Sequence, residues 1–377
     1  MSRIPLNAFC ALTMGQSPDS ESYNIEHNGF PFYQGNADFG RIHPMVRVWC
    51  SAPKKLAKAG DILISVRAPI GALNIADCDC CIGRGLAAIT PDATCADTMF
   101  LFYALYASAA ELQRRGTGST FKAISKNALS NLLLPSYCLE EQKEISAVLQ
   151  QVDHLIALRQ RQAEKLDELV KARFVEMFGD PVLNCQGFPV RTIGELTTEV
   201  KYGTSKPAVE GGKYPYLRMN NLTIDGKLDL HDLKQIDVDT SEFEKCVVRK
   251  GDVLFNRTNS AELVGKTAYY GLDEEMIIGG YIIRVRVNNL ILPQYLSFYM
   301  NMPFMKQRIR SMAKGAVNQA NINSKELKSI KVIVPPLEVQ GKVVEYEERI
   351  DREKDRIQRS AALLETLKRS LMQQYFG

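Results

Sequence analysis

Side chains that can form paired hydrogen bonds recur beside glycines and turns in this 377-residue sequence. An arginine can donate two hydrogen bonds to guanine, and an amide side chain can bond adenine in the same way. A neighbouring glycine has no Cβ and therefore lets the backbone approach a ligand closely. In the first half of the chain this pattern selects Gln16, Ser17, Gln34, Arg67 and Arg84, together with Thr117, Ser119 and Lys122 in a glycine-rich loop.

The second half of the chain carries a comparable set of polar side chains. This set consists of Thr204, Ser205, Arg218, Asn220, Asn221, Arg257, Asn259, Asn318 and Gln319. We interpret both sets as candidates for contacts with nucleic-acid bases. The alternative for any single member is ordinary loop surface.

Basic residues concentrate in two corresponding stretches, although the net charge of the chain is only +4. Residues 303–331 contain seven lysines and arginines against one acid, and residues 111–131 contain four against one acid. A basic run is usually a solvated face, but two runs at equivalent places favour a surface that faces phosphates. We therefore expect phosphate contacts from Lys306, Arg310, Lys314 and Lys122.

Residues that could support catalysis or bind a metal do not form a recognisable set. Cys78 and Cys81 have C-x-x-C spacing without a second pair nearby, so free thiols are expected and a zinc site is not. Asp61 and Asp252 each follow a glycine at the start of a strand, which favours a role in a turn. The stretch 301–304 lacks the double proline of an amino-methyltransferase motif and is interpreted as structural. The sequence therefore predicts no catalytic residue and no metal ligand.

The elements that must position the polar side chains occur twice. A shift of 198 residues aligns Leu139-Glu140 with Leu337-Glu338, and Phe178-Gly179 with Phe376-Gly377. The match has no gaps and covers about 50 positions, which indicates an internal repeat.

Each copy ends in a stretch that is typical of a long helix. In the first copy, Glu140 and Glu141 place negative charge in the first turn, and Gly179 supplies a C-terminal stop. Apolar residues recur at heptad-like spacing, namely Leu149, Val152, Ile156, Ala163, Leu166, Val170 and Met177. About 40 helical residues form a rod of roughly 60 Å, which needs a packing partner. We expect the second copy to be that partner.

A globular unit precedes each long helix, at residues 1–137 and 180–335. Both units mix many short strands with a few helices, which indicates the α+β class. We predict helices at 99–112 and 293–312 and a short strand at 129–134. The chain thus divides into four segments: 1–137, 138–179, 180–335 and 336–377.

The composition is that of an ordinary globular protein, with 45% hydrophobic and 24% charged residues. Apolar runs are much shorter than the roughly 18 residues of a membrane-spanning helix. The nine cysteines lack the density of a disulfide scaffold, so a reducing, cytoplasmic location is expected.

Taken together, these motifs resemble the DNA specificity (S) subunit of type I restriction–modification systems over essentially the whole chain. The resemblance rests on P-x-x-x-L-E-E-Q at 135–142, PPLE at 335–338, F-x-x-M-F-G-D-P at 174–181, GDILI at 60–64, PFYQG at 31–35 and GSTFKAI at 118–124. Each motif alone is weakly specific, but the ordered set within a repeat is specific.

The resemblance implies a target-recognition domain at 1–137, a conserved helix at 138–179, a second target-recognition domain at 180–335 and a second conserved helix at 336–377. It implies that the helices pair as an antiparallel coiled coil with pseudo-two-fold symmetry. Each domain would read one half of a bipartite site in double-stranded DNA, and the helices would set the gap between the halves. Two methyltransferase (M) subunits carrying S-adenosylmethionine, and restriction (R) subunits, would join this chain, which would hold no cofactor itself.

Apolar side chains along the long helices are candidates for contact with the methyltransferase subunits, because one helix pair cannot bury all of them. These residues are Leu155, Leu158, Leu169, Phe174, Met177, Phe178, Tyr375 and Phe376. The alternative is that they pack on the globular units of the same chain.

Two other functions stay open on sequence grounds. The chain could be a self-contained DNA methyltransferase or nuclease, or a coiled-coil scaffold with no role at DNA. Methyl transfer by the chain alone would identify the enzyme, and a lack of salt-sensitive DNA binding would favour the scaffold. The motifs favour a non-enzymatic subunit that reads DNA.

Overall fold

The computed structural model of the chain describes residues 2–117, 122–179, 184–316 and 319–377. Its contacts divide the chain into two compact units, of which the first comprises residues 1–161 and 357–377 and the second residues 162–356. Each unit therefore contains one globular part and sections of two long helices.

The described residues of the first unit form short strands and three short α-helices, as its frequent turn residues predict. The strands are β1 (Arg3–Pro5), β2 (Cys10–Met14), β3 (Tyr23–Asn24), β4 (Phe30–Tyr33), β5 (Trp49–Cys50), β6 (Leu56–Ala57), β7 (Ile62–Ser65), β8 (Leu73–Ile75), β9 (Cys80–Ile82), β10 (Leu86–Pro91) and β11 (Leu133–Pro135). The helices are α1 (Thr98–Ala107), α2 (Ala109–Arg115) and α3 (Lys126–Ser130), followed by the long helix α4 (Leu139–Phe178).

The central sheet of the first unit has the order β2-β10-β7-β8 and is antiparallel. Both of its faces are buried. Ile62 and Ile64 of β7 join the cluster that contains α1, while Leu63 joins a cluster with Tyr33 and Ile82 from the neighbouring sheet. That second sheet has the order β3-β5-β4-β9-β6, and within it β4 and β9 run parallel. Burial on both faces explains why β7 is a continuous apolar run.

The second unit repeats this plan. Its strands are β12 (Val190–Thr192), β13 (Thr197–Tyr202), β14 (Tyr214–Leu217), β15 (Lys234–Ile236), β16 (Val247–Val248), β17 (Val253–Asn256), β18 (Thr258–Asn259), β19 (Thr267–Tyr269), β20 (Met276–Ile278), β21 (Ile282–Val287), β22 (Lys314–Ala316), β23 (Gln319–Asn321) and β24 (Lys331–Ile333). Its helices are α5 (Thr240–Cys246), α6 (Pro293–Asn301), α7 (Pro303–Met312) and α8 (Ser324–Ser329), followed by the long helix α9 (Leu337–Phe376).

The sheets of the second unit match those of the first. The order β13-β21-β17-β19 corresponds to β2-β10-β7-β8, and the parallel pair β14 and β20 corresponds to β4 and β9. The unit also contains a three-stranded sheet, β18-β23-β22. Strand pairing of this kind supports the internal repeat and the predicted mixture of strands and helices.

Three local predictions need correction. The helix predicted at 99–112 is two helices that meet at Ser108, and the helix predicted at 293–312 ends at Asn301. Pro303 begins α7, because proline fits the first turn of a helix but not its interior. The stretch 129–134 is not one strand, since Leu129 lies in α3, where the Ser125 side chain accepts the N–H of Ala128 at 3.2 Å.

The long helices have the predicted positions, and both of their boundaries differ by 198 residues. Within the first unit, Lys368 Nζ donates to Asp153 Oδ1 at 2.6 Å, and Arg159 Nε donates to Ser360 Oγ at 3.2 Å. Within the second unit, Lys354 Nζ donates to Asp167 Oδ1 at 2.6 Å. Polar contacts of this kind join α4 and α9 inside each unit.

Candidate nucleic-acid interface

In each unit, one chain segment crosses the end of the parallel strand pair, which is β4 and β9 in the first unit and β14 and β20 in the second. This segment follows β2 in the first unit and β13 in the second. In the first unit, Gly15 donates its N–H to Leu86 O at 2.9 Å and Gln16 donates its N–H to Ile82 O at 3.0 Å. A Cβ on Gly15 would lie 2.2 Å from the carbonyl oxygen of Gly83, so the close approach requires glycine.

The second unit repeats this crossing. Gly203 donates its N–H to Ile282 O at 3.1 Å and Thr204 donates its N–H to Ile278 O at 2.9 Å. A Cβ on Gly203 would lie 2.2 Å from the carbonyl oxygen of Ile278. The same backbone bonds therefore make Gln16 and Thr204 equivalent, and with them the next residues, Ser17 and Ser205.

Two further pairs of positions are equivalent by the same test. The first pair is Gln34 and Arg218. The carbonyl of the residue before each of them accepts the N–H of the glycine that follows the parallel partner strand, which is Gly83 or Gly279. The second pair is Val66 and Arg257, and each donates its N–H to the carbonyl of the residue two positions after that glycine. The four bonds are Gly83 N–H to Tyr33 O (2.8 Å), Gly279 N–H to Leu217 O (2.9 Å), Val66 N–H to Gly85 O (2.9 Å) and Arg257 N–H to Tyr281 O (2.9 Å).

The structure brings the candidates of the first unit to one exposed area. Ser17 Oγ accepts the N–H of Arg84 at 3.3 Å, which places these two residues beside Gln16 and Gln34 at the crossing. Arg67 and Thr117 both pair with Ala123, next to Lys122. Six of these side chains are exposed and Ser17 is half-buried; the exposed ones are Gln16, Gln34, Arg67, Arg84, Thr117 and Lys122. The eighth candidate, Ser119, lies outside the described residues.

Five candidates of the second unit line a single cleft of about 580 Å³. They are Thr204, Ser205, Arg218, Asn220 and Arg257. The cleft also contains residues that sequence reasoning missed, among them Gly279, Gly280 and Tyr281. Tyr281 is 50% exposed, a feature that its position after two glycines could have signalled.

Two side chains of the second set are engaged inside the protein. Thr204 is buried, donates its hydroxyl to Glu242 and accepts the N–H of Lys206 at 3.1 Å. Asn221 is buried, accepts the N–H of Arg218 and donates to Asp229 O, each at 2.8 Å. Both side chains therefore hold the loops that form the cleft.

The remaining candidates of the second unit lie elsewhere or contact the protein backbone. Asn259 donates to Asn256 Oδ1 at 2.9 Å, and Gln319 is exposed on β23. Arg310 is exposed and donates to Glu262 O at 3.1 Å. Asn318 and the side chain of Lys314 lie outside the described residues.

Lys306 is half-buried, and its Nζ donates to Gly265 O at 3.2 Å. Burial, together with the positive charges of Arg310 and Lys266, lowers the pKa of Lys306 to about 8. Lys306 therefore loses its charge more readily than an ordinary lysine, and its Nζ already has a partner in the protein.

The candidate partner residues fall into three groups, which are buried, half-buried and exposed. Phe174 and Phe178 are buried in the core of the second unit, and Phe376 is buried in the core of the first. For these three side chains the structure shows the alternative, packing on the globular part. Met177 and Tyr375 are half-buried. Three leucines of α4 remain exposed, Leu155 at 37%, Leu158 at 40% and Leu169 at 49%.

The residues for which the sequence favours a structural role make contacts within the protein. The carboxylate of Asp61 accepts the N–H of Lys58 at 2.8 Å, and that of Asp252 accepts the N–H of Arg249 at 2.9 Å, so the predicted turn role is confirmed. In the stretch 301–304, Asn301 donates to Thr267 O at 2.6 Å.

The nine cysteines are free. Burial raises the pKa of the Cys80 and Cys81 thiols, which keeps both protonated at neutral pH. Within the described residues, no group of three or more His, Cys, Asp and Glu side chains is arranged to hold a metal. Among the described helices, none combines the length and apolar character needed to cross a membrane.

Two copies of one module, with different side chains on the same backbone frame, define a duplicated-domain protein with two versions of one candidate binding site. The chain belongs to the family of the type I restriction modification DNA specificity domain, whose model matches residues 5–168 and 187–368.

Known proteins resemble both the sequence and the fold. The provisionally assigned MjaX specificity subunit of a type I restriction enzyme from Methanocaldococcus jannaschii is 43% identical over 160 residues, which cover 42% of this chain and 38% of that protein. The aligned part thus spans well under half of that relative. The S subunit of a type I restriction–modification system from M. genitalium has the same fold, with a TM-score of 0.62 at 17% identity and coverage of 100% and 96% of the two chains. A chain from a structural study of complex assembly and conformational transition of the type I R-M system matches with a TM-score of 0.63 at 19% identity, covering 99% and 97%.

Proposed function

We propose that this chain is the DNA specificity subunit of a type I restriction–modification system and that each globular part reads one half of a bipartite site. The observation that carries the proposal is the repeated backbone frame. Gln16, Ser17 and Gln34 occupy the same positions in the first unit as Thr204, Ser205 and Arg218 occupy in the second. One scaffold that carries two different sets of polar side chains suits contact with two different half-sites, through bases and through the DNA backbone.

In this proposal the target-recognition domains are residues 1–137 and 180–335, and residues 138–179 and 336–377 form the spacer. The helices pair antiparallel as a coiled coil, with pseudo-two-fold symmetry. The supporting contacts run in opposite directions along the two helices. Asp153 bonds Lys368, and Asp167, further along α4, bonds Lys354, which is earlier in α9.

The proposed partners are two methyltransferase subunits, with restriction subunits in the cleavage complex. The chain itself is a non-catalytic subunit without a cofactor, and S-adenosylmethionine is bound by the methyltransferase subunits. The exposed Leu155 and Leu158 of the first unit provide an apolar surface for a partner helix, and Leu169 is an exposed leucine of the second unit. The free thiols fit a reducing cytoplasmic location.

Reconstitution tests the proposal directly. The purified chain, the methyltransferase subunits, and both together are incubated with plasmid DNA and a labelled methyl donor, and the modified bases are mapped by sequencing. We expect methylation only by the complex, at sites with two fixed halves and an unspecified gap. Methyl transfer by the chain alone would identify an enzyme. Two results would favour the scaffold function instead. In the first, the complex binds all DNA sequences equally. In the second, it shows no salt-sensitive binding to DNA.

A further inference from the structure

The cleft of the second unit contains an arginine for which the described residues provide no acidic partner. The guanidinium carbon of Arg257 lies 5.0 Å from the ring centroid of Tyr202, and its Nε is buried without a hydrogen-bond partner among the described residues. Its backbone is fixed on both sides, because its N–H bonds Tyr281 O and its carbonyl accepts the N–H of Ile322, each at 2.9 Å. A recessed cation with unused donors is costly unless a ligand supplies acceptors.

A second guanidinium faces the same cleft. Arg218 donates through Nη2 to Asp232 Oδ2 at 2.8 Å, and its Nε is also buried without a partner among the described residues. Asp232 also accepts from Lys234 Nζ at 3.1 Å, so this one acid is shared between two cations and the two arginines of the cleft keep a net positive charge. Ser205 adds a hydroxyl, and Gly279 and Gly280 form one part of the wall without side chains.

The concave shape of the cleft favours one part of DNA as its ligand. Base edges lie within the grooves and are reached by side chains that project from a protein. A phosphate projects from the surface of the duplex and can enter a recess, where arginine binds it through two parallel hydrogen bonds. The contact with the Tyr202 ring would hold the Arg257 guanidinium in place for this purpose.

We propose that the cleft of Arg257, Arg218 and Ser205 is a clamp for one DNA backbone phosphate and not a reader of a base. The inference rests on the proposed function, and it assigns these residues a positioning role within it. The clamp belongs to the second unit alone, because the equivalent positions in the first unit hold Val66 and Gln34. The two units thus hold DNA by different means.

The test uses the full chain with its methyltransferase subunits. Arg257→Gln removes the charge, and Arg257→Lys keeps it. Affinity is measured across a salt series for a duplex with the mapped site and for a scrambled duplex. With Arg257→Gln we expect both affinities to fall by the same factor, roughly tenfold, and the slope of log K against log salt to decrease by about one. Arg257→Lys should retain the salt slope.

Single methylphosphonate substitutions along the second half-site then locate the phosphate. At one position, the uncharged methylphosphonate should weaken DNA binding by the wild-type complex. The same methylphosphonate should not weaken binding by the Arg257→Gln complex any further. Arg249→Gln is the matched control, since Arg249 is a half-buried arginine of the same unit, as Arg257 is, but is paired with Glu275 at 2.5 Å.

Each possible result decides the matter. A methylation motif that relaxes at one base pair with either variant would overturn the clamp in favour of base reading. An unchanged salt slope in Arg257→Gln, with the fold intact by circular dichroism, would exclude any phosphate contact. If the complex shows no sequence motif at all, the proposed function fails while the salt slope still tests the clamp.

Discussion

The side-chain oxygen of Gln142 accepts the backbone N–H of Asp97 at 2.9 Å. The amide nitrogen of Gln142 donates to the carbonyl oxygens of Cys95 and Tyr137, so one buried side chain ties the start of α4 to the start of α1. Gln340 does the same in the second unit. It accepts the N–H of Leu292 at 2.8 Å and donates to the carbonyl oxygens of Leu290 and Pro335.

Replacing either glutamine by leucine should loosen one unit only. Gln142→Leu leaves a buried N–H and two carbonyls without their partner, which should cost about 2–4 kcal/mol. Hydrogen exchange should accelerate in peptides from α1 and from the start of α4, while Gln340→Leu should affect α6 and the start of α9. Gln151→Leu, at an exposed position of α4, is the control. Equal exchange in Gln142→Leu and wild type would show that the bonds do not anchor the helix.

The long helices and the repeat could be predicted from sequence because both depend on local signals. The helices that begin at Leu139 and Leu337 have the same length, so a single shift aligns their sequences without a gap. The buried strand β7 was predictable as well, since burial on both faces produces a continuous apolar run.

The equivalent site positions were not predictable from the same shift. Gly15 and Gly203 are 188 positions apart, Gln34 and Arg218 are 184 apart, and Val66 and Arg257 are 191 apart. Loops of different length in the two units change the offset each time, and only strand pairing restores the correspondence. The cleft depends on such long-range pairing, as does the burial of Thr204 and Asn221.

Exposed amides of the first unit should read bases. Gln34→Ala and Gln16→Ala should each relax one position of a single half-site, with a loss of about 1–3 kcal/mol in discrimination. Methylome sequencing of cells that carry each variant measures the motif. Asn131→Ala, an exposed amide of the same unit that bonds Asn127 Oδ1 at 2.9 Å, is the control. An unchanged motif in both glutamine variants would remove them from the base contacts.

Lys306 should make the stability of the second unit depend on pH. Its pKa is lowered to about 8 from 10.5, chiefly by burial, so the unfolded chain binds more protons between these values. Stability therefore rises with pH through this window, and the charged lysine destabilises the fold below pH 8. Lys306→Met should raise the free energy of unfolding at pH 7 by up to about 3 kcal/mol and flatten the rise above pH 8.

Urea unfolding at pH 7, 8, 9 and 10, followed by a probe in the second unit, provides the measurement. Lys325→Met, at an exposed position, is the control. If the stability of Lys306→Met depends on pH in the same way as that of the wild type, the half-buried lysine is already neutral or well solvated.

The exposed leucines of α4 should mediate contact with the methyltransferase. Leu158 is 40% exposed, so a glutamate there meets water in the isolated chain and leaves the fold intact. In a complex it would bury a charge without a partner, which is strongly unfavourable. Leu158→Glu should therefore fold normally but no longer co-purify with the methyltransferase. Leu230→Glu, at a position that is 37% exposed, should co-purify normally; a stable complex with Leu158→Glu would place the contact elsewhere.

The paired helices should act as a ruler for the gap between half-sites. Asp153 and Asp167 are fourteen positions apart in α4, and their partners Lys368 and Lys354 are fourteen positions apart in α9. An insertion in one helix alone would make these two spacings unequal. Four residues are therefore added to each helix, after Gln162 in α4 and before Ile357 in α9. Four residues lengthen a helix by about 6 Å and rotate it by about 40° beyond a full turn.

A length of about 6 Å corresponds to one or two base pairs of DNA. The double insertion should therefore keep both half-site sequences and widen the unspecified gap by one or two pairs. Two residues added to both helices would turn them by about 200° and should abolish methylation, because one domain would face away from the DNA. Methylome sequencing reads both results. If the four-residue variant still modifies sites with the original gap, the helices do not set the distance.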